Sequence, residues 1–244
     1  MSYYIVIREK RESDTPVLNE IVKNGYLSTV NNSWINALFQ EITFQLIILL
    51  AALLFICFGV PLYYSIVSVP IVLISLYCII YSTIFMKSAQ LIYEKRPLKC
   101  WIAESYEPYF FMKTPESCWY KIIEETDLVK EGIDQNGFQR KMIGTISVGQ
   151  HSRRDDWAWL FRLVVDKRYR RKGVGLKLIN TVQDWCRTNQ FNAIELAIGE
   201  CQDGCRELFN KAGFEVEQFY HKQLLGRLIT LQMFQLRCEV RSTF

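Results

Sequence analysis

The chain has 244 residues, and 29 Lys and Arg against 25 Asp and Glu leave a net charge of +4. Half of the residues are apolar and 14% are aromatic, more than a wholly soluble domain usually carries, so a membrane segment is the first thing to seek. The basic excess is modest and gathers mainly in one short loop, which argues against nucleic acid as a partner.

From the start, Tyr3 to Arg8 reads as a strand. Ser13-Asp14-Thr15-Pro16 then has small polar residues before a first-turn proline, which predicts a helix start, with the helix running to about Tyr26. The first residues lack the basic leader and apolar core of a signal peptide. Between Glu41 and Lys87 no residue is charged. One membrane helix needs about 20 residues, so this run is long enough for two. Gly59-Val60-Pro61 supplies a turn, Thr43–Phe58 one helix and Leu62–Phe85 the other, with Tyr63 and Tyr64 near an interface. Leu46 to Phe58 is apolar all round, whereas a soluble core helix would show a polar stripe. Pro70 either kinks the second helix or shifts its start.

Cys100–Glu104 is expected to form the next strand. Residues 106–138 mix prolines, acids and aromatics and are hard to read, with a short helix expected within Ser117–Lys130. Met142–Val148 and Trp157–Val165 read as an antiparallel hairpin with His151–Asp156 at its tip. Further on, Ala193–Ile198 reads as a strand and Asp203–Ala212 as a helix closed by Gly213. Phe214–Gln223 and Leu228–Leu236 read as closing strands. The eight cysteines are scattered, and Cys201-x-x-x-Cys205 fits neither redox nor zinc spacing. With only two histidines, His151 and His221, no metal site is expected.

The stretch Leu160–Asn180 organises the rest. An apolar β-branched run, Leu160 to Val165, leads into the basic loop Lys167-Arg168-Tyr169-Arg170-Arg171-Lys172. Gly173-Val174-Gly175 then opens an amphipathic helix through Leu176, Leu178, Ile179, Val182 and Trp185. Glycines let a backbone approach a ligand closely, and the first turn of a helix presents unpaired N–H groups that favour an anion. The strand–loop–helix is therefore expected to cradle phosphate. It lacks the Lys-Ser/Thr of a P-loop and the third glycine of a dinucleotide fingerprint.

Arg170-x-x-Gly173-x-Gly175 resembles the pyrophosphate motif of the GNAT superfamily of acetyl-CoA-dependent N-acyltransferases. Leu208-Phe209-x-x-x-Gly213-Phe214 is similar to the second signature of that superfamily. Ile7-Arg8 with Asp14, Val17 and Leu18 is similar to its opening strand and helix. A domain fragment, a two-helix hairpin and then the main body resembles the membrane-bound cysteine S-conjugate N-acetyltransferase family, whose members are associated with the endoplasmic reticulum. The resemblance implies an α+β GNAT fold, with a mixed, mostly antiparallel central sheet flanked by helices and an inserted transmembrane hairpin. Residues 1–41 would supply the first strand and helix, 42–86 the hairpin, and 87–244 the body. Both flanks must return to one sheet, so two crossings fit and one does not. Lys87, Lys95, Arg96 and Lys99 then put the folded domain in the cytosol.

By the same resemblance, acetyl-CoA is the cosubstrate and an amine the acceptor, either a small cysteine conjugate or a protein lysine. The pantetheine arm would pair with Leu163, Val164 and Val165. Arg170, Arg171, Lys172, Gly173, Val174 and Gly175 would hold the pyrophosphate, with Gln202 and Phe209 also at the cofactor. Phe209 stands where the superfamily often has a Tyr facing the departing sulfur. Candidate catalytic groups are Glu200, which a helix start could equally favour, and Tyr220. Arg162 would bind an acceptor carboxylate or face solvent. A different class stays open: a membrane-tethered acyl-CoA-binding or scaffold protein without catalysis.

Overall fold

The computed structural model describes residues 3–59, 61–93, 96–108, 114–130, 137–199, 204–223 and 230–240. In chain order these form β1 (Tyr3–Glu9), α1 (Thr15–Leu27), α2 (Val30–Leu38), α3 (Glu41–Phe58), α4 (Ser68–Tyr93), β2 (Lys99–Pro108), β3 (Tyr120–Glu124), α5 (Glu125–Lys130), β4 (Phe138–Gln150), β5 (Trp157–Val165), α6 (Val174–Thr188), β6 (Ala193–Gly199), α7 (Cys205–Lys211), β7 (Glu215–Gln223) and β8 (Thr230–Glu239). Most expected elements appear within a few residues of their places. Three features depart from expectation. Helix α2 was not foreseen. Within 117–130 the expected short helix is α5, but strand β3 ahead of it was not foreseen. The second apolar helix starts late, because Leu62–Val67 winds as a 3-10 turn and Pro70 falls in the first turn of α4, where its missing N–H costs nothing.

Among the described residues one eight-stranded sheet has the order β3-β1-β2-β4-β5-β6-β8-β7. Only β1–β3 and β5–β6 run parallel. Strands β1 and β2 are sheet neighbours across the inserted helices, with Tyr4 opposite Tyr106 and Glu9 opposite Trp101. Strand side chains alternate between faces, and β2 displays both of them. Trp101 and Ala103 pack with α6 residues Leu178, Ile179 and Val182. Cys100 and Ile102 pack with Leu18 and Val22 of α1. Helices α1 and α6 therefore cover opposite faces.

Helix α4 is tied to this body. Leu76 and Ile80 meet Val30 and Ala37 of α2, Trp34 stands edge-on to Tyr77 at 6.0 Å, and Ile92 joins the α1 cluster. Helix α3 buries only Thr43 within the protein. It and the segment Tyr63–Tyr93 are long and apolar enough to cross a membrane.

The opening strand is fixed by charge. Arg8 donates to Asp14 at 2.7 Å and to Glu104 on β2, and Arg8 and Glu104 are both buried. The Arg8 hydrogen bond holds the Asp14 carboxyl below its usual range. That contribution to stability is complete above about pH 4 and is lost as pH falls through the lowered folded value. Removing one member of such a set strands a buried charge, at about 3–5 kcal/mol. Arg8→Met should therefore lower the unfolding free energy in detergent by about that much, read by denaturant titration at neutral pH. A change under about 1 kcal/mol, the size of an exposed pair, would show that the cluster does not hold β1 in place.

Candidate functional site

Strand β5 carries an extra residue against β4. Thr145 faces Val164 while Ser147 faces Phe161, and the surplus residue Arg162 takes a left-handed φ of 55°. Such a conformation costs a non-glycine residue about 1–3 kcal/mol and persists only where its surroundings impose it. Here the surroundings are visible. The Arg162 side chain is buried, and its Nε donates to the Leu91 carbonyl at 2.7 Å and an Nη to that of Ile92 at 3.1 Å. Those carbonyls belong to the last turn of α4, which has no intrahelical partners for them. Arg162 thus neither binds solvent nor awaits an acceptor carboxylate, as the sequence suggested; it caps a helix. Burial lowers its pKa from the usual guanidinium value.

Beyond the bulge the sheet opens. Parallel pairing of β5 with β6 covers only Trp157–Trp159 against Ala193–Glu195, so Leu163–Val165 has no strand on that side. The gap becomes a cleft of about 360 Å³. Because it interrupts the sheet, elements from both faces line it: Gly25, Tyr26, Ser28, Thr29 and Asn32 from α1 and α2, and Cys205 and Leu208 from α7. An added Cβ at Gly25 would lie 2.3 Å from Val164 Cγ1, so this glycine is what lets α1 close against β5.

At the other end of the cleft is the basic loop. Arg170, Arg171, Gly173, Val174 and Gly175 line it, with Lys211 and Glu207 opposite. Gly173 takes φ 84° and caps α6 without any side-chain hydrogen bond, which leaves the first-turn N–H groups open to an anion. Arg170 Nε donates to the Val165 carbonyl at 3.0 Å and keeps its charge uncompensated by that bond. Arg171 stands 3.5 Å from Glu207 in an exposed pair. Tyr169 pins the loop from beneath: its hydroxyl donates to Glu107 at 2.6 Å, as Tyr120 does at 2.8 Å. Burial and then that hydrogen bond push the Tyr169 phenol up to about 12.

Of the expected cofactor residues, Leu163, Val164, Val165, Arg170, Arg171, Gly173, Val174 and Gly175 come together around this cleft. Lys172 does not line it; its ammonium donates to the carbonyls of Cys118 at 2.6 Å and Glu116 at 3.0 Å. Phe209 does not line it either, being buried in the main core edge-on to Phe214 at 5.3 Å. Gly175 has a second reason to be small: a Cβ would meet Leu208 Cδ2 at 3.0 Å, so it sets how closely α6 and α7 approach. Tyr220 lies half-buried on the edge strand β7, away from the lining. Glu200 and Gln202 lie outside the described residues. The α1–α2 wall, Glu107 and the Arg162 cap were missed. Gly25 inside a helical run was the one local hint, because glycine there costs about 1 kcal/mol and implies close packing. Among the described residues no cluster of His, Cys, Asp and Glu could hold a metal.

The sequence model of the Acetyltransferase (GNAT) family matches residues 88–214, just over half of the chain. Two curated frog proteins, each named "Probable N-acetyltransferase camello", are similar over a shorter stretch. The Xenopus tropicalis protein is 33% identical over 75 residues, 31% of this chain and 34% of its own length. The Xenopus laevis protein is 32% identical over 76 residues, 31% of this chain and 35% of its own. The chain thus spans about a third of the curated relatives it matches. A solved structure provisionally assigned as a phosphinothricin N-acetyltransferase superposes with a TM-score of 0.50 at 12% identity, over 98% of this chain and 99% of that one. It shares the fold.

The Arg162 cap makes a direct prediction. Arg162→Met removes charged hydrogen bonds worth about 1.5–3 kcal/mol in all. The last-turn amides of α4 should exchange with deuterium faster, and Arg162→Lys should recover part of the protection. Unchanged exchange in Arg162→Met would mean that the helix end is held by other contacts.

Proposed function

The chain belongs to the Acetyltransferase (GNAT) family, and from that premise we propose that it is a membrane-anchored enzyme moving an acetyl group from acetyl-CoA to an amine. The observation that carries this reading is the opened sheet: the strand Leu163–Val165, left without a partner by β6, leads straight into the uncapped start of α6. The residues present fit acetyl-CoA. Amides at the start of α6, with Arg170 and Arg171, would take the pyrophosphate. The pantetheine amides would pair with the free edge of β5, which directs the thioester toward the Arg162 bulge. Gln202 remains a candidate for the same ligand, and Lys172 and Phe209 would act on it only through the loop and helix they hold.

Acetyl transfer to an amine asks little more of the protein. The nitrogen must be neutral when it attacks, so a base or a water chain must accept its proton. The carbonyl must be polarised by a donor. Positioning alone can supply about 7–11 kcal/mol of the barrier. Glu200 is the candidate base we retain, since Tyr220 does not line the cleft. The acceptor classes we propose are a small amphipathic cysteine conjugate and a protein lysine.

The anchoring part of the proposal rests on α3 and α4. Their uncovered apolar surface suits hydrocarbon, and the pairing of β1 with β2 requires both ends of the hairpin on one side. Residues 1–41 and 87–244 would then form one acetyltransferase domain and 42–86 its anchor. Lys87, Lys95, Arg96 and Lys99 flank the hairpin on the domain side, which favours the cytosol for that side; the endoplasmic reticulum is proposed on the resemblance to the membrane-bound cysteine S-conjugate N-acetyltransferase family.

The direct test is thiol release from acetyl-CoA across a panel of amines, with Gly173→Val beside the wild type. A β-branched residue at φ 84° is strained by about 1–2 kcal/mol and crowds the cradle, so CoA affinity should fall about tenfold or more. Equal CoA affinity in the two proteins would overturn the phosphate assignment. CoA binding without acetylation of any amine would instead favour a tethered binder. For topology, protease added outside intact microsomes should digest the acetyltransferase domain; full protection until detergent is added would put that domain in the lumen.

A further inference from the structure

We propose that the hydroxyl of Tyr26 donates a hydrogen bond to the sulfur that leaves acetyl-CoA, making Tyr26 a catalytic residue of the cleft. The inference rests on the acetyl-CoA reading above and goes beyond it in naming the group that meets the leaving thiolate.

Three observations lead to Tyr26. The first is chemical elimination within the cleft. Four of its lining residues carry hydroxyls: Tyr26, Ser28, Thr29 and Tyr169. Ser28 donates to the Gly25 carbonyl at 2.6 Å, Thr29 to the Tyr26 carbonyl at 2.7 Å, and Tyr169 to Glu107 at 2.6 Å. The Tyr26 hydroxyl has no hydrogen-bond partner among the described residues. Tyr26 is partly buried in the α1 cluster and lines the cleft, so a hydroxyl without a protein partner there is a place for a ligand atom.

The second observation is position. Gly25 brings α1 against Val164, which seats the next residue beside the opened part of β5. The Tyr26 phenol is within electrostatic reach of both Arg162, at the bulge, and Cys205, at the start of α7. Arg162 is the bulge residue that immediately precedes the lining stretch Leu163–Val165, so the phenol lies on the bulge side of the cleft. With phosphates at the basic end and the pantetheine arm running from Val165 back to Leu163, the thioester reaches this side. The buried Arg162 guanidinium adds positive potential where negative charge develops on sulfur.

The third is the state of the phenol. Burial pushes its pKa up to about 12, so it holds its proton at neutral pH. A CoA thiol resembles a free Cys, near 8.5, so outright proton transfer from such a phenol to the thiolate would run uphill. Donation of a hydrogen bond is what the group can do. In the step itself the amine lone pair forms the C–N bond, and the C–S bond breaks with its electron pair going to sulfur. The surplus proton on nitrogen passes to the base or to water, and the thiolate, held by Tyr26, takes a proton from solvent as CoA departs. Tyr26 ends the cycle unchanged.

The test needs no knowledge of the acceptor. The 244-residue wild type and its Tyr26→Phe variant, in detergent, are titrated with CoA and with desulfo-CoA, and the thiol of bound CoA is titrated by its ultraviolet thiolate absorbance. The ring stays in the apolar cluster with Leu18, Val22 and Ile92, so both proteins should bind desulfo-CoA equally. The bound thiol should titrate about one pKa unit lower in the wild type, a tenfold difference in thiolate fraction at a given pH. The same thiol pKa in both proteins, with CoA bound to both, would overturn this proposal and leave the cosubstrate reading standing. Equal losses of CoA and desulfo-CoA affinity in Tyr26→Phe would also overturn it, since the hydroxyl would then serve the arm and not the sulfur. Failure of the wild type to bind either molecule would overturn the cosubstrate reading and this proposal with it.

Discussion

The structure depends on one extra residue in β5. Inserting Arg162 against β4 turns the strand away from β6, and the parallel pairing stops at Trp159 and Glu195. The left-handed backbone at Arg162 is unfavourable by itself. It is offset by what the side chain gains when aimed away from the sheet, a set of charged hydrogen bonds to the end of α4. One residue therefore opens a cleft in the sheet and fastens the long apolar helix to the same place. A cleft lined from both faces of a sheet can exist only where the sheet is interrupted, and the bulge is what interrupts it.

This coupling explains the arrangement of the first helices. Helix α1 carries a glycine where it crosses β5 and a tyrosine immediately after it, so the wall of the cleft is also a link to the hairpin. Helix α2 continues from that wall onto α4 through Val30, Trp34 and Ala37. Displacement of α4 relative to the sheet would be felt at Arg162 and at the α1–α2 junction together. The apolar hairpin and the cleft are thus parts of one packed unit, although the chain visits them in widely separated stretches.

What was legible in the sequence was local or compositional. The run from Leu160 to Asn180 is a strand, a turn and a helix joined without interruption, and each part announces itself through periodicity or glycine placement. The uncharged run announces itself through length. The arrangement around the cleft was legible only in part, because its second wall comes from residues well over a hundred positions away. No periodicity links Tyr26 to Leu163. Arg162 looked like a solvent-facing or substrate-facing cation because its partners are backbone carbonyls, which leave no mark in a sequence. Helix α2 was missed because its apolar face is short and interleaved with three asparagines, residues that compete with the helical backbone. Strand β3 was missed because five residues at a sheet edge give too little alternation. Gly175 shows the reverse: the sequence singled it out as a motif glycine, and the structure adds packing against Leu208 as a reason for it to be small. Phe209 likewise earns its place through the core.

The central claim is that the free edge of β5 and the start of α6 together receive acetyl-CoA. Amide hydrogen exchange, followed residue by residue with and without the cosubstrate, tests it most directly. The account predicts new protection at Leu163 or Val165, where the pantetheine arm supplies the missing strand, and at Gly173–Leu176, where the pyrophosphate takes the open N–H groups. Little change is expected at the opposite end of β5, around Trp157–Trp159, which is already paired. Saturating acetyl-CoA that leaves the 163–176 amides unprotected would contradict the account.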